Sequence, residues 1–342
     1  MFAESFSVTA AIPAYNEASR IAAAIASVRA QTEPAAEILV VDDGSTDDTA
    51  RIAASLGARV VTQRNAGIAR TRNRLLTEAR SPWLAFLDAD DVWYPEKLAA
   101  VRRAHEARPQ AEFISSDFCC VYESGGIAKP SAYATTPQYA AMTTAPLGDH
   151  AVAVPGAELG KALAVGNFIG TSTVVVRRDL LVERGTFFDE HLPVARDVFV
   201  AEDVEWYLRV LRATDAVSIE RVLGAYCWRS GSLASNYGRV RYGDTKLGER
   251  VVADPSAYVD GAAGAFVAAR RIQLRHAARI YARAHDFARS QEILREAQCD
   301  GADARDGAAI ALLELAKSPG GRALAAVADR LLQWTRSRKR AA

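Results

Sequence analysis

The chain has 342 residues, half of them apolar and 24% charged, with a formal net charge of +1. That length can bury a large core in two or three structural units. The balanced charge removes any whole-molecule case for nucleic-acid binding, and no apolar run approaches the ~20 residues that span a bilayer. The opening residues Met1, Phe2, Ala3, Glu4 and Ser5 lack a basic start and lead into a short strand-like run, so no secretory signal is read there. Cys119, Cys120, Cys227 and Cys299 have no paired CxxC spacing. They are expected as reduced core thiols of a cytosolic protein and not as a zinc site.

Short apolar runs that stop at turn formers read as buried parallel strands. The first covers residues 7–12, with Pro13 expected to end it, and residues 18–30 follow with helical spacing at Ile21, Ala24, Ile25 and Val28. A strand over 37–41, a helix over 49–56 capped from Thr46, Asp47 and Asp48, a strand over 59–61, a helix over 68–79 and a strand over 83–87 come next. Pro95 opens a helix to residue 107, and strands are expected at 113–116 and 119–122. Such alternation predicts a parallel sheet with helices on both faces.

Residues 123–155 are rich in Gly, Pro, Ala, Thr and Tyr and read as a long mobile segment. A strand at 173–176, a helix near 179–184, a helix over 204–211 with an aromatic face and strand-like runs in 217–226 restore order. From about residue 245 the chain turns to Ala, Arg and Leu with helical spacing. Ile272, His276, Ile280 and Phe287 mark one helix or pair; Ile293, Leu294, Leu312, Leu313 and Leu315 mark others. A break at 319–321 precedes a basic tail at 334–340.

Two aspartate clusters stand at the ends of predicted strands: Asp42, Asp43 and Asp47 after the second, and Asp88, Asp90 and Asp91 after the fourth. Open α/β sheets bind ligands at the carboxyl ends of their strands. Clustered carboxylates there are costly unless something positive neutralises them. A divalent cation carrying a nucleoside diphosphate would do so. Were the strand to persist to Asp90, Asp88 and Asp90 would face one site, since side chains two apart share a face. Asp91 is expected to cap or orient the turn into the Pro95 helix.

Four blocks in order resemble the family 2 glycosyltransferases over residues 6 to about 235: Ile12 to Glu17, Val41 to Asp47, Asp88 to Asp91, and Glu202 and Asp203 followed by Trp206 and Arg209. The resemblance implies a GT-A α/β fold, mostly parallel and Rossmann-like, with a C-terminal α-helical extension. It divides the chain into a nucleotide-sugar-binding half (1–120), an acceptor-binding and catalytic half (121–240) and helices from 245 to 342. Pro13, Tyr15, Glu17, Asp43, Asp88 and Arg229 would bind the donor, Asp43 against uracil N–H or ribose. Asp90, with Asp88, would bind Mn²⁺ or Mg²⁺, hard cations that suit oxygen ligands. Asp203 would be the general base of an inverting, non-processive transfer; Asn167, Thr171, Glu202 and Trp206 would line the acceptor site. Gly67 would allow a tight turn, Asn73 would tie its helix to neighbouring backbone, and Arg72 could reach the donor.

The QxxRW element of processive synthases is absent. The expected partners are a nucleotide-diphospho-sugar, UDP-linked before dTDP or GDP, and a glycan or lipid-linked acceptor, with no nucleic acid. The C-terminal helices read either as a solvated cap on the catalytic core or as a dimer or peripheral membrane contact, the last at the inner face of the plasma membrane. A sugar-nucleotide nucleotidyltransferase, or a non-catalytic carbohydrate-binding or scaffold protein, are the competing readings. The first wants a Gly-rich basic loop where Pro13, Ala14, Tyr15, Asn16 and Glu17 stand.

Overall fold

The computed structural model describes residues 6–192, 201–229, 237–301, 303–317 and 322–333. Strand β1 (Val8–Ala14), helix α1 (Ile21–Arg29), β2 (Glu37–Asp42), α2 (Thr49–Ser55), β3 (Arg59–Thr62), α3 (Ile68–Glu78) and β4 (Trp83–Phe86) alternate as the apolar runs predict. Every residue of β1 and β4 is buried, as in strands covered on both faces. There follow β5 (Val92–Trp93), α4 (Lys97–Ala107), β6 (Phe113–Tyr122), β7 (Ile127–Lys129), α5 (Pro137–Ala140), β8 (Ala145–Gly148), β9 (Ala151–Val154), α6 (Gly156–Val165), β10 (Val175–Arg177), α7 (Arg178–Glu183), α8 (Glu202–Val210) and β11 (Ala216–Trp228).

One sheet takes the order β3-β2-β1-β4-β10-β6-β11-β9-β8. Strands β3, β2, β1 and β4 pair in parallel; β10 is antiparallel to both β4 and β6; β6 and β11 are parallel. So β1, β2, β4, β6 and β11 all run the same way, and their carboxyl ends share one edge. Helices α1 and α4 pack one face through Ile21, Ile25, Leu98 and Val101, in a cluster with Ile12, Val40 and Val175.

Several expectations change. Strand β1 runs through Pro13 to Ala14 because only its β2 side stays paired there: Leu87 N–H donates the last bond from the β4 side, to Ala11. Pro13 faces that released side, where a missing N–H costs nothing. The two strands expected in 113–122 form one, and residues 123–155 are ordered. Asp117 holds that stretch by accepting from the backbone N–H groups of Ala132 and Tyr133 and from Ser131, and β9 pairs with β11. All four cysteines are free, but Cys120 and Cys227 are half-buried and Cys299 is exposed, so only Cys119 is a core thiol.

The chain forms two units, the first within residues up to 192, 202–230 and 255–262, the second within 231–254 and from 263 onward. The second is helical: α9 (Tyr237–Ala253), α10 (Ala262–Arg283), α11 (Phe287–Cys299), α12 (Ala304–Ala316) and α13 (Arg322–Gln333). Its core is Leu274, Ala277, Ala278, Tyr281, Ile293, Leu294 and Leu313. The phase of α10 therefore differs from the expected one: Ile272 is 69% exposed. Alanines fill the buried face, so the large side chains mislead about its position. Asp286 and Asp303 cap α11 and α12, and Arg275 pairs with Asp303 and the fully buried Asp306. Among the described residues no helix is long and apolar enough to cross a membrane. The basic tail at 334–340 lies outside the described residues.

Candidate active site

At the shared edge, the loops after β1 and β2 are laced together. Asn16 N–H donates to Ser45 Oγ at 2.9 Å, Thr46 N–H to Asn16 Oδ1 at 2.8 Å, Glu17 N–H to Thr49 Oγ1 at 2.8 Å, and Ala18 N–H to Asp47 Oδ2 at 3.1 Å. Asp47 also accepts from Thr49 N–H at 3.0 Å and so caps α2, whereas Ser45 serves the facing loop. Tyr15 projects from this lacing, 47% exposed. Gly44 has φ +77°, and a Cβ there would lie 2.8 Å from Asn65 N.

The adjacent pair Asp42 and Asp43 divides its work. Asp43 accepts from Gln63 Nε2 at 2.8 Å and from the N–H groups of Ala66 and Gly67, both at 2.9 Å. Those three bonds make it the anchor of the loop that opens α3, with Gly67 at φ +90°. Asp42 has one oxygen near Ser45 N–H, while its buried Oδ1 has no hydrogen-bond partner among the described residues.

Strand β4 ends at Phe86, and Asp91 N–H donates to Asp88 O at 3.0 Å. A turn, not strand alternation, therefore presents Asp88 and Asp90. Arg72, 4% exposed, reaches across: its Nη2 lies 3.1 Å from Asp88 Oδ1 and its Nη1 bonds Glu202. Arg229 donates from Nε to Asp90 Oδ2 at 3.0 Å and from Nη2 to Glu17 Oε1 at 2.5 Å; Arg20 bridges Glu17 and Glu123. Asp91 is buried and does not cap α4; it accepts from Ser172 Oγ at 2.5 Å and Cys227 N–H at 3.0 Å. Burial, then the charge of Asp88, raises the Asp90 pKa against the pull of Arg229. Burial raises Asp91 well above the carboxylate range.

Asp203, in the first turn of α8, accepts from Thr171 Oγ1 at 3.3 Å and Val204 N–H at 2.8 Å. Burial lifts its pKa, while the positive charge of Arg72 opposes the shift. Thr171 is buried and also accepts from Tyr207 at 3.4 Å. Glu202 is committed to Arg72, and Asn167 Oδ1 accepts from Ile169 N–H at 2.9 Å within its own turn. Trp206 is fully buried, stacked on Phe188 at 4.2 Å and edge-on to Phe86, so it is core and no pocket wall. Asn73 ties α3 to Phe188 by two bonds, at 2.9 and 2.7 Å. Ser232, which on the family resemblance could help Arg229 hold the diphosphate, lies outside the described residues.

Among the described residues no three His, Cys, Asp or Glu side chains meet as a metal cage. Two acidic side chains on one turn, Asp88 and Asp90, are what Mg²⁺ or Mn²⁺ asks of a protein when phosphates and water complete the shell. Burial, with the like charge of Asp88 added to it, disfavours the ionised form of Asp90, and a cation would offset both. The residues therefore fit such an ion.

The sheet order and the carboxylates at its edge define a GT-A fold, the architecture of nucleotide-diphospho-sugar transferases. Along 97% of its length, at 17% identity and TM-score 0.59, the chain superposes on 92% of the crystal structure of S. aureus TarS 1–349 in complex with UDP-GlcNAc. Residues 9–134 match the family described as "Glycosyl transferase family 2". Succinoglycan biosynthesis protein ExoU of Rhizobium meliloti is 43% identical over 93 residues, 25% of this chain and 27% of that protein. ExoO of the same organism is 37% identical over 108 residues, 30% and 31% of the two chains. The matched stretches thus span less than a third of these relatives.

Proposed function

We propose that the chain is an inverting glycosyltransferase that moves one sugar from a nucleoside-diphosphate donor, UDP-linked, to an acceptor hydroxyl of a surface polysaccharide or lipid-linked glycan. The observation that carries this reading is Arg72. One buried guanidinium ties the Asp88 turn to the helix that bears Asp203, so donor and acceptor chemistry share one site. The succinoglycan relatives and the UDP-GlcNAc held by the TarS neighbour support the substrate class.

The nucleotide would lie along the carboxyl ends of β1 and β2, its base against the exposed Tyr15 and its imide N–H or ribose toward Asp43. Asp90, with Asp88, would hold Mn²⁺ or Mg²⁺, which supplies Lewis-acid stabilisation to the departing diphosphate. Arg229, freed from Asp90, has the charge and donors to grip phosphate oxygens. The acceptor oxygen forms its bond to the anomeric carbon as the bond to the diphosphate oxygen breaks with its electron pair. The acceptor proton passes to Asp203, whose raised pKa makes it a stronger base than a free aspartate. Calorimetric titration of UDP with and without Mn²⁺ tests the donor half of the site. Asp90→Ala should abolish the manganese-dependent gain in affinity, and an undiminished gain would remove Asp90 from this role.

A further inference from the structure

The turn Thr171–Thr173 holds both halves of the site. Thr171 Oγ1 donates to Asp203; Ser172 Oγ accepts from Asp88 N–H at 2.9 Å and donates to Asp91. The hydroxyl face of this turn thus meets Asp203 and the Asp88–Asp91 turn together. Its carbonyl face is held from the opposite side. Trp93 Nε1 donates to Ser172 O at 2.7 Å, and Lys97 Nζ donates to Thr173 O at 3.0 Å and to Ser116 Oγ at 3.1 Å.

Lys97 is 1% exposed. Its amine lies 5.5 Å from the Trp93 ring. Among the described residues no carboxylate comes within ion-pair distance of it. Burial pushes its pKa down to about 7. A lysine buried on neutral partners is an expensive way to fill a core. A methionine of similar length would fill the same space, but could not hold the Thr173 carbonyl. Rigid support from behind is what a catalytic constellation needs, since a misplacement of ~1 Å can cost about 100-fold in rate.

We propose that Lys97 is a positioning residue: with Trp93 it fixes the Thr171–Thr173 turn, and so sets Asp203 against the Asp88–Asp91 turn. This rests on the glycosyltransferase reading for its rate consequence, but not for its structural one.

The test uses the full chain with Lys97→Met and, as a smaller change at the same carbonyl face, Trp93→Phe. Calorimetric titration of UDP with Mn²⁺ counts competent sites and gives affinity. Hydrolysis of UDP-glucose, UDP-galactose and UDP-N-acetylglucosamine is then expressed per competent site. Both variants should lose roughly 10- to 100-fold in turnover per site while UDP affinity falls far less. Unchanged turnover per site, or a loss that only follows the loss of competent sites, overturns the proposal. Solvent exchange of the Trp93 indole N–H, read by nitrogen-15 NMR and assigned with Trp93→Phe, is independent of turnover. It should quicken at least about tenfold in Lys97→Met as the turn loosens. An unchanged exchange rate overturns the proposal even if the wild type hydrolyses none of the three donors, a result that would count against the glycosyltransferase reading alone.

Discussion

Replacing Arg72 with methionine isolates the charge that joins the two carboxylate groups. The guanidinium side chain is 5% exposed and that of Glu202 10%, so the variant strands a buried carboxylate with no counter-charge. Removing one member of a buried pair costs about 3–5 kcal/mol. Asp88, 27% exposed at its side chain, keeps water and adds little. At about 2–4 °C per kcal/mol for a unit of this size, Arg72→Met should melt roughly 6–20 °C below the wild type at pH 7.5. Glu202→Gln in the same background removes the stranded charge and should return at least about half of that loss. The sign of the pH effect is fixed. A carboxyl whose folded pKa rises above its unfolded value binds more protons when folded, so stability falls as pH rises through that interval. The Arg72→Met deficit should therefore shrink between pH 7.5 and 5.5. Differential scanning calorimetry of the wild type, both single variants and the double variant measures all of this. A melting point within about 2 °C of the wild type, or a double variant no more stable than Arg72→Met, would refute the reasoning.

Gly44→Ala combines φ +77° with a Cβ 2.8 Å from Asn65 N, and should cost about 1–3 kcal/mol in urea unfolding while weakening UDP binding. As the proposed general base, Asp203 would act only when ionised, and burial raises its pKa. Turnover should therefore rise with pH through a value above the ordinary aspartate pKa of about 3.9, visible as a displaced acid limb of the kcat–pH profile.

The parallel strands were legible because burial on both faces writes them as unbroken apolar runs, and the clusters at Asp42 and Asp88 mark where β2 and β4 end. Gly67 was legible for a local reason, its φ of +90° at the entry to α3, and Asn73 as a tie between its helix and backbone, although that backbone, at Phe188, is distant in sequence. What escaped depends on partners distant in sequence. Asp117 orders residues 131–133, which by composition alone look unstructured. Trp206 shares its helix with Asp203, yet only the positions of Phe188 and Phe86 decide that it is core. Lys97, in the first turn of a helix, resembles any surface lysine until β6 and the 171–173 turn close over it.

The charges of the site favour the proposed cation. Glu17, Glu123, Asp88, Asp90, Glu202 and Asp203 gather around Arg20, Arg72 and Arg229, so carboxylates outnumber guanidiniums. At Asp90 burial and the like charge of Asp88 raise the pKa despite Arg229, so the crowding is felt there. Arg72 cannot move to relieve it, being buried and held by both Asp88 and Glu202. Arg229, at the end of β11 and 23% exposed at its side chain, can. A divalent ion arriving with a diphosphate would take the place of Arg229 at Asp90, and release that guanidinium beside new phosphate oxygens. Metal and donor should therefore bind with mutual reinforcement, and Arg229→Gln should weaken that coupling more than it weakens the binding of Mn²⁺ alone.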